Sequence, residues 1–223
     1  MRRVTIPVDL WFWRLDVPAA AVLSAEEEAR AARFVYAEDA ARFRAARAGL
    51  RLVLAEHLGQ AAAALRFAYG PEGKPALPGG PAFNLSHSGD WAALAVTARA
   101  RIGIDIEAQR RVEPEVAARF FSAAEQAALA ALAPADWQEG FFQIWTRKEA
   151  FVKALGQGLR RPLDSFDVTL GAAARLARLA EGGEAAWILE NLALGAGYSG
   201  ALAVETHGEA VKIRLRQGAL PLR

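Results

Sequence analysis

The sequence predicts an α+β fold, within the broad α/β group, because strand-like and helix-like segments are mixed along its 223 residues. Residues 102–107 alternate strictly between isoleucine and a small or acidic residue, a period of two that is typical of a strand. Residues 39–57 form a long alanine- and arginine-rich segment that stops just before Gly59, as a helix does. With 53% hydrophobic and 23% charged residues, the chain has the composition of a globular protein.

The first part of the chain is expected to form one strand, then two helices, then three further strands. Ser24 and the glutamates at 26–28 are a typical helix N-terminus, and a second helix covers 39–57. A loop rich in glycine and proline occupies residues 70–81. The strand candidates are 8–15, 65–69, 83–86 and 91–97.

The second part of the chain again mixes helices and mostly antiparallel-looking strands. Helical patterns cover 114–121, 123–132 and 137–155, and the last of them ends at Gly156. The strand candidates are 102–107, 166–170, 187–194, 199–205 and 211–215. A seam near residues 98–101 predicts an N-terminal subdomain, 1–101, and a C-terminal subdomain, 102–223.

The composition excludes several classes of function. The chain has no cysteine, which excludes disulfides, thiolate metal sites and a cysteine nucleophile. The formal net charge is only +2 and the sequence has no basic stripe, so we expect no nucleic-acid partner. The longest uncharged run, residues 75–89, is interrupted by prolines and is too short to cross a membrane. We therefore expect a soluble, cytoplasmic protein.

Asp105 and Glu107 are the first candidates for chemistry. Two positions apart on a strand, their carboxylates project from one face while the isoleucines anchor the other face in a core. Like charges held this close are unfavourable unless a cation screens them, and a hard cation such as Mg²⁺ prefers oxygen ligands. The alternative interpretation is an edge strand with a solvated acidic face.

Residues 145–153, W-T-R-K-E-A-F-V-K, add a third acid and a lysine. On a helix, Glu149 and Lys153 are in the favourable order for an ion pair. They either supply a carboxylate to a metal and an ammonium to a phosphate, or form an ordinary surface salt bridge. Four of the 27 basic residues are lysines, at 74, 148, 153 and 212, and the rest are arginines. A lysine kept in such a background indicates a need for a compact ammonium.

Residues 83–89, F-N-L-S-H-S-G, place Ser86 and His87 directly after an apolar strand. Hydroxyl, imidazole and loop amide groups donate hydrogen bonds to anionic oxygens, which favours phosphate binding. A Ser–His nucleophile pair is disfavoured, because the G-x-S-x-G elbow is absent and adjacent residues do not easily adopt triad geometry. Lys74 on a Gly-Lys-Pro turn, together with Arg30 and Arg42, is either an anion ligand or an ordinary exposed charge.

In order, the segments G-K-P, N-L-S-H-S, I-G-I-D-I-E, W-T-R-K-E-A-F-V-K and G-L-R-R-P-L-D-S-F resemble those of the Sfp-type 4′-phosphopantetheinyl transferases, over residues 34–170. The resemblance implies transfer of the phosphopantetheine arm of coenzyme A to a serine of an acyl or peptidyl carrier protein, with release of adenosine 3′,5′-bisphosphate. It also implies two similar subdomains related by a pseudo-twofold axis, each a small mostly antiparallel sheet with helices. Coenzyme A and Mg²⁺ would lie in the cleft between them.

The resemblance assigns a role to each candidate residue. The metal ligands would be Asp105, Glu107 and Glu149, with Glu149 also the general base and Lys153 the catalytic contact to the phosphate. The coenzyme A ligands would be Arg30, Arg42, Lys74, Ser86 and His87, while Glu27 stands where the family has a basic residue. An acidic carrier protein would contact Arg110, Arg111, Arg119, Phe120 and Phe121, although the two phenylalanines fit a place in the core equally well. A monomer is expected.

Two other functions stay open at this point. A Mg²⁺-dependent phosphohydrolase acting on a nucleotide would use the same three acids, with water as the nucleophile. A non-catalytic module that binds a carrier protein or a nucleotide would not need them. The presence of all three acids together with Lys153 argues against the non-catalytic alternative.

Overall fold

The computed structural model describes residues 5–216 and contains two main β-sheets, each covered on its outer face by one long helix. The helices are α1 (Ala25–Ala31), α2 (Ala37–Leu58), α3 (Pro114–Phe120), α4 (Ala123–Ala130) and α5 (Trp137–Leu155). The strands are β1 (Thr5–Arg14), β2 (Ala68–Tyr69), β3 (Pro75–Ala76), β4 (Ala82–Ser88), β5 (Trp91–Thr97), β6 (Ile102–Ala108), β7 (Phe166–Val168), β8 (Leu176–Leu179), β9 (Trp187–Asn191), β10 (Tyr198–Glu205) and β11 (Ala210–Leu215).

The two sheets differ in size and in the origin of their strands. Four strands in the order β11–β1–β5–β4 form one sheet, and three in the order β6–β10–β9 form the other. Neighbouring strands are antiparallel except β1 and β11, which run parallel with Thr5 opposite Ala210. Strand β11 therefore joins the sheet of the first half. The subdomain boundary between residues 101 and 102 stays a prediction.

The two sheets pack face to face, so the layers run helix, sheet, sheet, helix. On the outer face of the four-stranded sheet, Leu50 of α2 shares a buried cluster with Trp13 and Leu94. On the outer face of the three-stranded sheet, Phe151 of α5 shares a second cluster with Ala203. The isoleucines of β6 fill the space between the sheets, against residues of β1 and β5. Because its isoleucines face the other sheet, β6 turns its acidic side chains toward α5.

The α+β fold class is confirmed, with two similar sheet-and-helix halves, and the long predicted elements agree closely with the structure. The helix predicted over 39–57 is Ala37–Leu58, and Gly59 ends it in the left-handed region at φ 61°. The strand predicted over 65–69 is reduced to Ala68–Tyr69, because a short helical turn precedes it and carries Leu65 into the core. Strand β8 is absent from the predicted set, since only its two terminal leucines are buried. Within residues 5–216, no helix combines the length and apolarity needed to cross a bilayer.

A methyl group at Gly103 is expected to push α5 away from β6. An added Cβ would lie 2.0 Å from the carbonyl oxygen of Ala150 and 2.4 Å from the amide nitrogen of Ala154, and neither backbone atom can rotate away. Gly103→Ala should therefore lower the free energy of unfolding in urea by about 3 kcal/mol, the upper range for overpacking. Gly70→Ala is the control, because the nearest atom to its added Cβ lies 3.7 Å away. Equal losses in the two variants would contradict the prediction.

Candidate active site

The candidate site lies where β4, at the edge of one sheet, meets β6, at the edge of the other. In the described chain β6 pairs through its backbone with β10, so the amides on its outer edge need other partners. Side-chain oxygens at alternate positions of β4 accept hydrogen bonds from these amides. The pairs are Asn84 Oδ1 with the Ile104 amide at 2.8 Å, Ser86 Oγ with the Ile106 amide at 3.3 Å, and Ser88 Oγ with the Ala108 amide at 3.1 Å. We name these three hydrogen bonds the β4–β6 ladder.

Ser86 is the centre of the ladder and uses the full bonding capacity of its hydroxyl. It donates to Asp105 Oδ1 at 3.0 Å, and it accepts the Ile106 amide and, at 3.1 Å, the Lys153 ammonium. A hydroxyl has one hydrogen to donate and two lone pairs to accept with. The buried Ser86 hydroxyl therefore holds the charged groups of the site in place.

Asp105 forms the floor of the site, with 3% of its surface exposed. Its Oδ1 accepts hydrogen bonds from Ser86 and, at 2.5 Å, from Lys153 Nζ. Its Oδ2 is also buried and has no hydrogen-bond partner among the described residues. Burial raises the pKa of Asp105 to about 6, against the opposing effect of the Lys153 ammonium. A buried carboxylate oxygen without a partner is unfavourable, and a bound cation would satisfy it.

Glu107 and Glu149 surround Asp105 with negative charge. Glu107 lies on the same face of β6, and its Oε2 accepts a hydrogen bond from Ser88 Oγ at 2.8 Å. Burial raises the pKa of the half-buried Glu149, and the charge of Glu107 raises it further. Both glutamates in turn raise the pKa of Asp105. The three predicted metal ligands therefore lie close enough to act on one another electrostatically.

These acids suit a hard divalent cation by their chemistry, although they do not form a complete cage. All three offer carboxylate oxygens, which such a cation prefers, and Asp105 adds an oxygen that no described group contacts. Across residues 5–216, no three acidic or histidine side chains are grouped as a complete metal site. Two cations contact these acids: the Lys153 ammonium at Asp105 Oδ1, and the exposed Arg110 guanidinium 3.2 Å from Glu107 Oε2.

Helix α5 presents Glu149 and Lys153 to the site because its other face is anchored in the core. Lys148 is fully buried next to Glu149. Its ammonium bonds to the carboxylate of Glu125 at 2.8 Å and to the carbonyl oxygens of Leu163 and Phe166, each at 2.6 Å. A buried cation must be satisfied in this way, and the three bonds fix the rotation of α5 about its axis.

His87 and Arg30 lie near the same charges, on the other side of β4. Successive side chains of a strand point to opposite faces, so the exposed His87 faces away from the buried Ser86. Desolvation lowers the pKa of His87, and the charges of Lys153 and Arg30 add to the effect. The charge of Glu107 opposes this shift, and the net effect favours the neutral imidazole. The Arg30 guanidinium lies over the ring of Phe43, 5.3 Å from its centroid.

Arg42 of α2 reaches Asp90, in the turn between β4 and β5. Its guanidinium bonds to Asp90 at 2.9 Å and to Glu38 at 2.6 Å. Arg14 reaches the same Asp90 carboxylate at 3.6 Å. A phosphate that binds here would share Arg42 with two carboxylates.

Lys74 and Glu27 are placed differently from the other candidates. The Lys74 ammonium contacts backbone carbonyl groups at the end of α5 and the start of β6. Glu27 is buried, where it accepts the Ser24 amide at the start of α1 and pairs with Arg47 at 2.5 Å and Arg51 at 2.6 Å. This buried ion-pair cluster explains why an acid stands at position 27.

An apolar cavity of about 430 Å³ opens beside Glu149. Trp145 and Val152 of α5 line it together with Phe120, whose ring packs edge-on against Trp145 with centroids 5.9 Å apart. Phe121 is 2% exposed and belongs to the core. Of the two phenylalanines predicted for the partner surface, only Phe120 borders this cavity.

Asn84, Ser88 and Lys148 support the site in ways that the sequence does not predict, since its pattern offers Ser88 at most as one of two hydroxyls for an anion. The signal for the first two was available, because polar residues at 84, 86 and 88 alternate with Phe83 and Leu85, which marks one polar face of a strand. The rarity of lysine in the chain marks Lys148 as well, but no local pattern reveals its partners, because they lie elsewhere in the sequence.

Comparison with known proteins gives a consistent family. Residues 101–203 match the family model of the 4′-phosphopantetheinyl transferase superfamily, and residues 16–99 match that of the 4′-phosphopantetheinyl transferase N-terminal region. A 4′-phosphopantetheinyl transferase of Bacillus subtilis is 40% identical over 152 residues, covering 67% of each chain. The 4′-phosphopantetheinyl transferase HetI of Nostoc is 39% identical over 176 residues, covering 73% of this chain and 74% of HetI.

Two further similarities extend this set. The 4′-phosphopantetheinyl transferase Sfp of Bacillus subtilis is 37% identical over 150 residues, covering 66% of each chain. Among solved structures, the holo-[acyl-carrier-protein] synthase of Thermotoga maritima aligns with a TM-score of 0.42 and 21% identity, over 49% of this chain and 65% of that one.

Asp105→Asn is expected to change how stability depends on pH. Folding raises the pKa of Asp105 from 3.8 to about 6, so the folded wild type binds more protons than the unfolded chain in this range and loses stability as the pH rises through it. The variant lacks this group, so its free energy of unfolding relative to wild type should rise by about 2 kcal/mol between about pH 4 and pH 7. Urea titrations at a series of pH values, with a chelator present, measure the difference. Parallel profiles for the two proteins would contradict it.

Proposed function

The chain belongs to the 4′-phosphopantetheinyl transferase superfamily, and from this we propose how its own residues carry out the reaction. It is a transferase that moves the phosphopantetheine arm of coenzyme A to a carrier protein. The observation that carries the assignment of residues is the meeting of Asp105, Glu149 and Lys153 where the two sheets join. The phosphohydrolase alternative finds no support among these relatives.

Asp105, Glu107 and Glu149 would hold Mg²⁺, with the unpartnered Oδ2 of Asp105 as a ready oxygen donor. When bound, such an ion would supply charge neutralisation at the pyrophosphate of coenzyme A. The chain prepares for this with the β4–β6 ladder, which fixes Asp105 through Ser86 and Glu107 through Ser88.

Lys153 supplies a fixed positive charge at the phosphate. Two of its three N–H groups bond Asp105 and Ser86, and the third can donate to a phosphate oxygen. Its side chain is 31% exposed, so the ammonium sits at the boundary between the buried acid and the opening. A lysine suits this role, because a compact ammonium acts as a point charge.

Glu149 would accept the proton of the attacking serine hydroxyl. The serine oxygen bonds to the phosphorus that carries the pantetheine arm, the bond to the second phosphate breaks, and adenosine 3′,5′-bisphosphate leaves with the electron pair. Burial raises the pKa of Glu149, and a higher pKa makes the carboxylate a stronger base. Because such transfers pass through a loose transition state, positioning and charge neutralisation carry most of the catalysis.

The nucleotide end of coenzyme A would lie over the outer side of β4. The neutral His87 imidazole and the guanidinium groups of Arg30 and Arg42 offer donors there for the phosphates. Ser86 and Lys74 would act indirectly, because their polar groups already bind the protein itself.

The apolar cavity beside Glu149 would take the pantetheine arm or the residues that flank the target serine. Its wall of Phe120, Trp145 and Val152 suits an aliphatic chain. Arg119 lines the same cavity, and the nearby Arg111 side chain is 87% exposed, which suits an acidic carrier protein. A cytoplasmic, monomeric enzyme with no nucleic-acid or membrane partner is part of the proposal.

Glu149→Gln should abolish transfer without unfolding the protein, because the amide can neither accept the serine proton nor bind a cation as a carboxylate does. The assay is intact-mass analysis of an apo carrier protein after incubation with the enzyme, coenzyme A and Mg²⁺. Glu139→Gln, at an exposed position of the same helix, is the matched control and should transfer at the wild-type rate. Full activity of Glu149→Gln would overturn the mechanism.

Removal of divalent cations should stop transfer, and added Mg²⁺ should restore it. A second measurement does not depend on activity: in the presence of adenosine 3′,5′-bisphosphate, Mg²⁺ should raise the Tm of the wild type, because ligands stabilise the state that binds them. Asp105→Asn should lose this response, whereas Glu139→Gln should keep it. Transfer at an undiminished rate in excess chelator would contradict the metal assignment.

A further inference from the structure

Lys74 carries an ammonium group that the proposed reaction does not use directly. It lies on the β2–β3 hairpin in the first half of the chain, yet its contacts are in the second half. Nζ lies 2.9 Å from the carbonyl oxygen of Ile102, 2.6 Å from that of Lys153 and 3.5 Å from that of Ala154. An ammonium has three hydrogens to donate, so these three contacts use them all.

The hairpin that presents Lys74 is held firmly. The Gly70 amide donates to the Lys74 carbonyl at 2.9 Å, and the Gly73 amide donates to the Gly70 carbonyl at 2.9 Å. Gly73 has a φ of 75°, which glycine adopts without strain. A second tie, between Glu72 and Arg160 at 2.7 Å, joins the hairpin to the segment that follows α5.

The carbonyl groups that Lys74 contacts belong to the two elements that carry the site. Helix α5 ends at Leu155, where the last carbonyls of a helix lack their usual partners. The Gly156 amide lies 3.2 Å from the Lys153 carbonyl oxygen, and Lys74 adds a second, closer donor to it. A cation there is also favoured by the helix dipole. Ile102 begins β6, the strand of Asp105. One ammonium from the first half therefore binds the backbone of both the helix and the strand.

The environment of Lys74 suits a structural cation. Burial disfavours the charged form and lowers its pKa to about 8, which is still high enough for the ammonium to dominate at pH 7. A compact ammonium can sit among converging carbonyl oxygens, whereas a planar guanidinium with five donors cannot take the same place. This accounts for a lysine here in a chain whose cations are mostly arginine.

We propose that Lys74 is a positioning residue, which caps α5 from the other half and thereby sets the Lys153 ammonium against Asp105. In this proposal the Lys74 ammonium does not bind coenzyme A. Lys153 is the link, because its carbonyl oxygen binds Lys74 while its ammonium binds Asp105. The inference rests on the proposed function for its catalytic consequence, but the capping contact itself does not depend on that function.

The test compares Lys74→Met with wild type and with Lys212→Met, the same change at an exposed position of β11. Hydrogen exchange in the metal-free protein should accelerate roughly tenfold or more over residues 152–157 in Lys74→Met only, because the last turn of α5 loses its cap. Calorimetry with adenosine 3′,5′-bisphosphate should give a Kd within about twofold of wild type, since a positioning group does not bind the ligand.

Transfer kinetics supply the remaining measurement. Lys74→Met should lower kcat roughly 10- to 100-fold, as a misplaced catalytic group does, and leave KM for coenzyme A within about twofold. Lys74→Gln, which keeps hydrogen-bond donors, should fall between Lys74→Met and wild type and replaces it if that variant does not fold.

A large rise in the Kd for the bisphosphate with unchanged exchange would overturn the inference, because Lys74 would then be a coenzyme ligand. Unchanged exchange together with unchanged kcat would also overturn it. If the wild type transfers nothing, the proposed function fails, and the exchange measurement still decides whether Lys74 caps the helix.

Discussion

The structure depends on hydrogen bonds between the backbone amides of an edge strand in one sheet and the side chains of an edge strand in the other. Strand β6 has amides on its outer edge that need acceptors, and in the described chain Asn84, Ser86 and Ser88 provide them. The unpaired backbone groups of an edge strand usually form hydrogen bonds with another strand. Here side-chain oxygens take that place, which joins the halves and leaves hydroxyl groups beside the acidic residues of β6.

This arrangement explains why the side chains of the site are held in fixed positions although their charges repel one another. The Ser86 hydroxyl binds Asp105 only because its oxygen is already placed by the Ile106 amide. Asp105 stays buried with a raised pKa and with one oxygen that no described group contacts. Such a group is unfavourable for the folded chain alone, and its position is maintained by packing on both sides of β6. The folded chain is thereby less stable than it could be, because a side chain needed for binding is kept in an unfavourable environment, as is common at functional sites.

The sequence predicts the chemistry of the site better than its three-dimensional contacts. The period of β6, the i, i+4 pair on α5 and the glycine that ends α2 are local features, so the pattern of residues reveals them. The direction of Lys74 and the partners of Lys148 depend on segments far away along the chain, which no local period encodes. Glu27 is instructive in the same way, because only the packing of α1 against Arg47 and Arg51 shows why it is acidic.

The parallel pairing of β11 with β1 has a consequence for how the chain is made. Asp9 on β1 and Arg214 on β11 form an ion pair although 205 residues separate them. During synthesis on the ribosome, the first strand therefore has an open edge until almost all of the described chain has emerged. Pairings of such long range form slowly, and an open strand edge is prone to wrong association. The four-stranded sheet is thus completed only after the second half has been translated, so the two halves reach their final fold together.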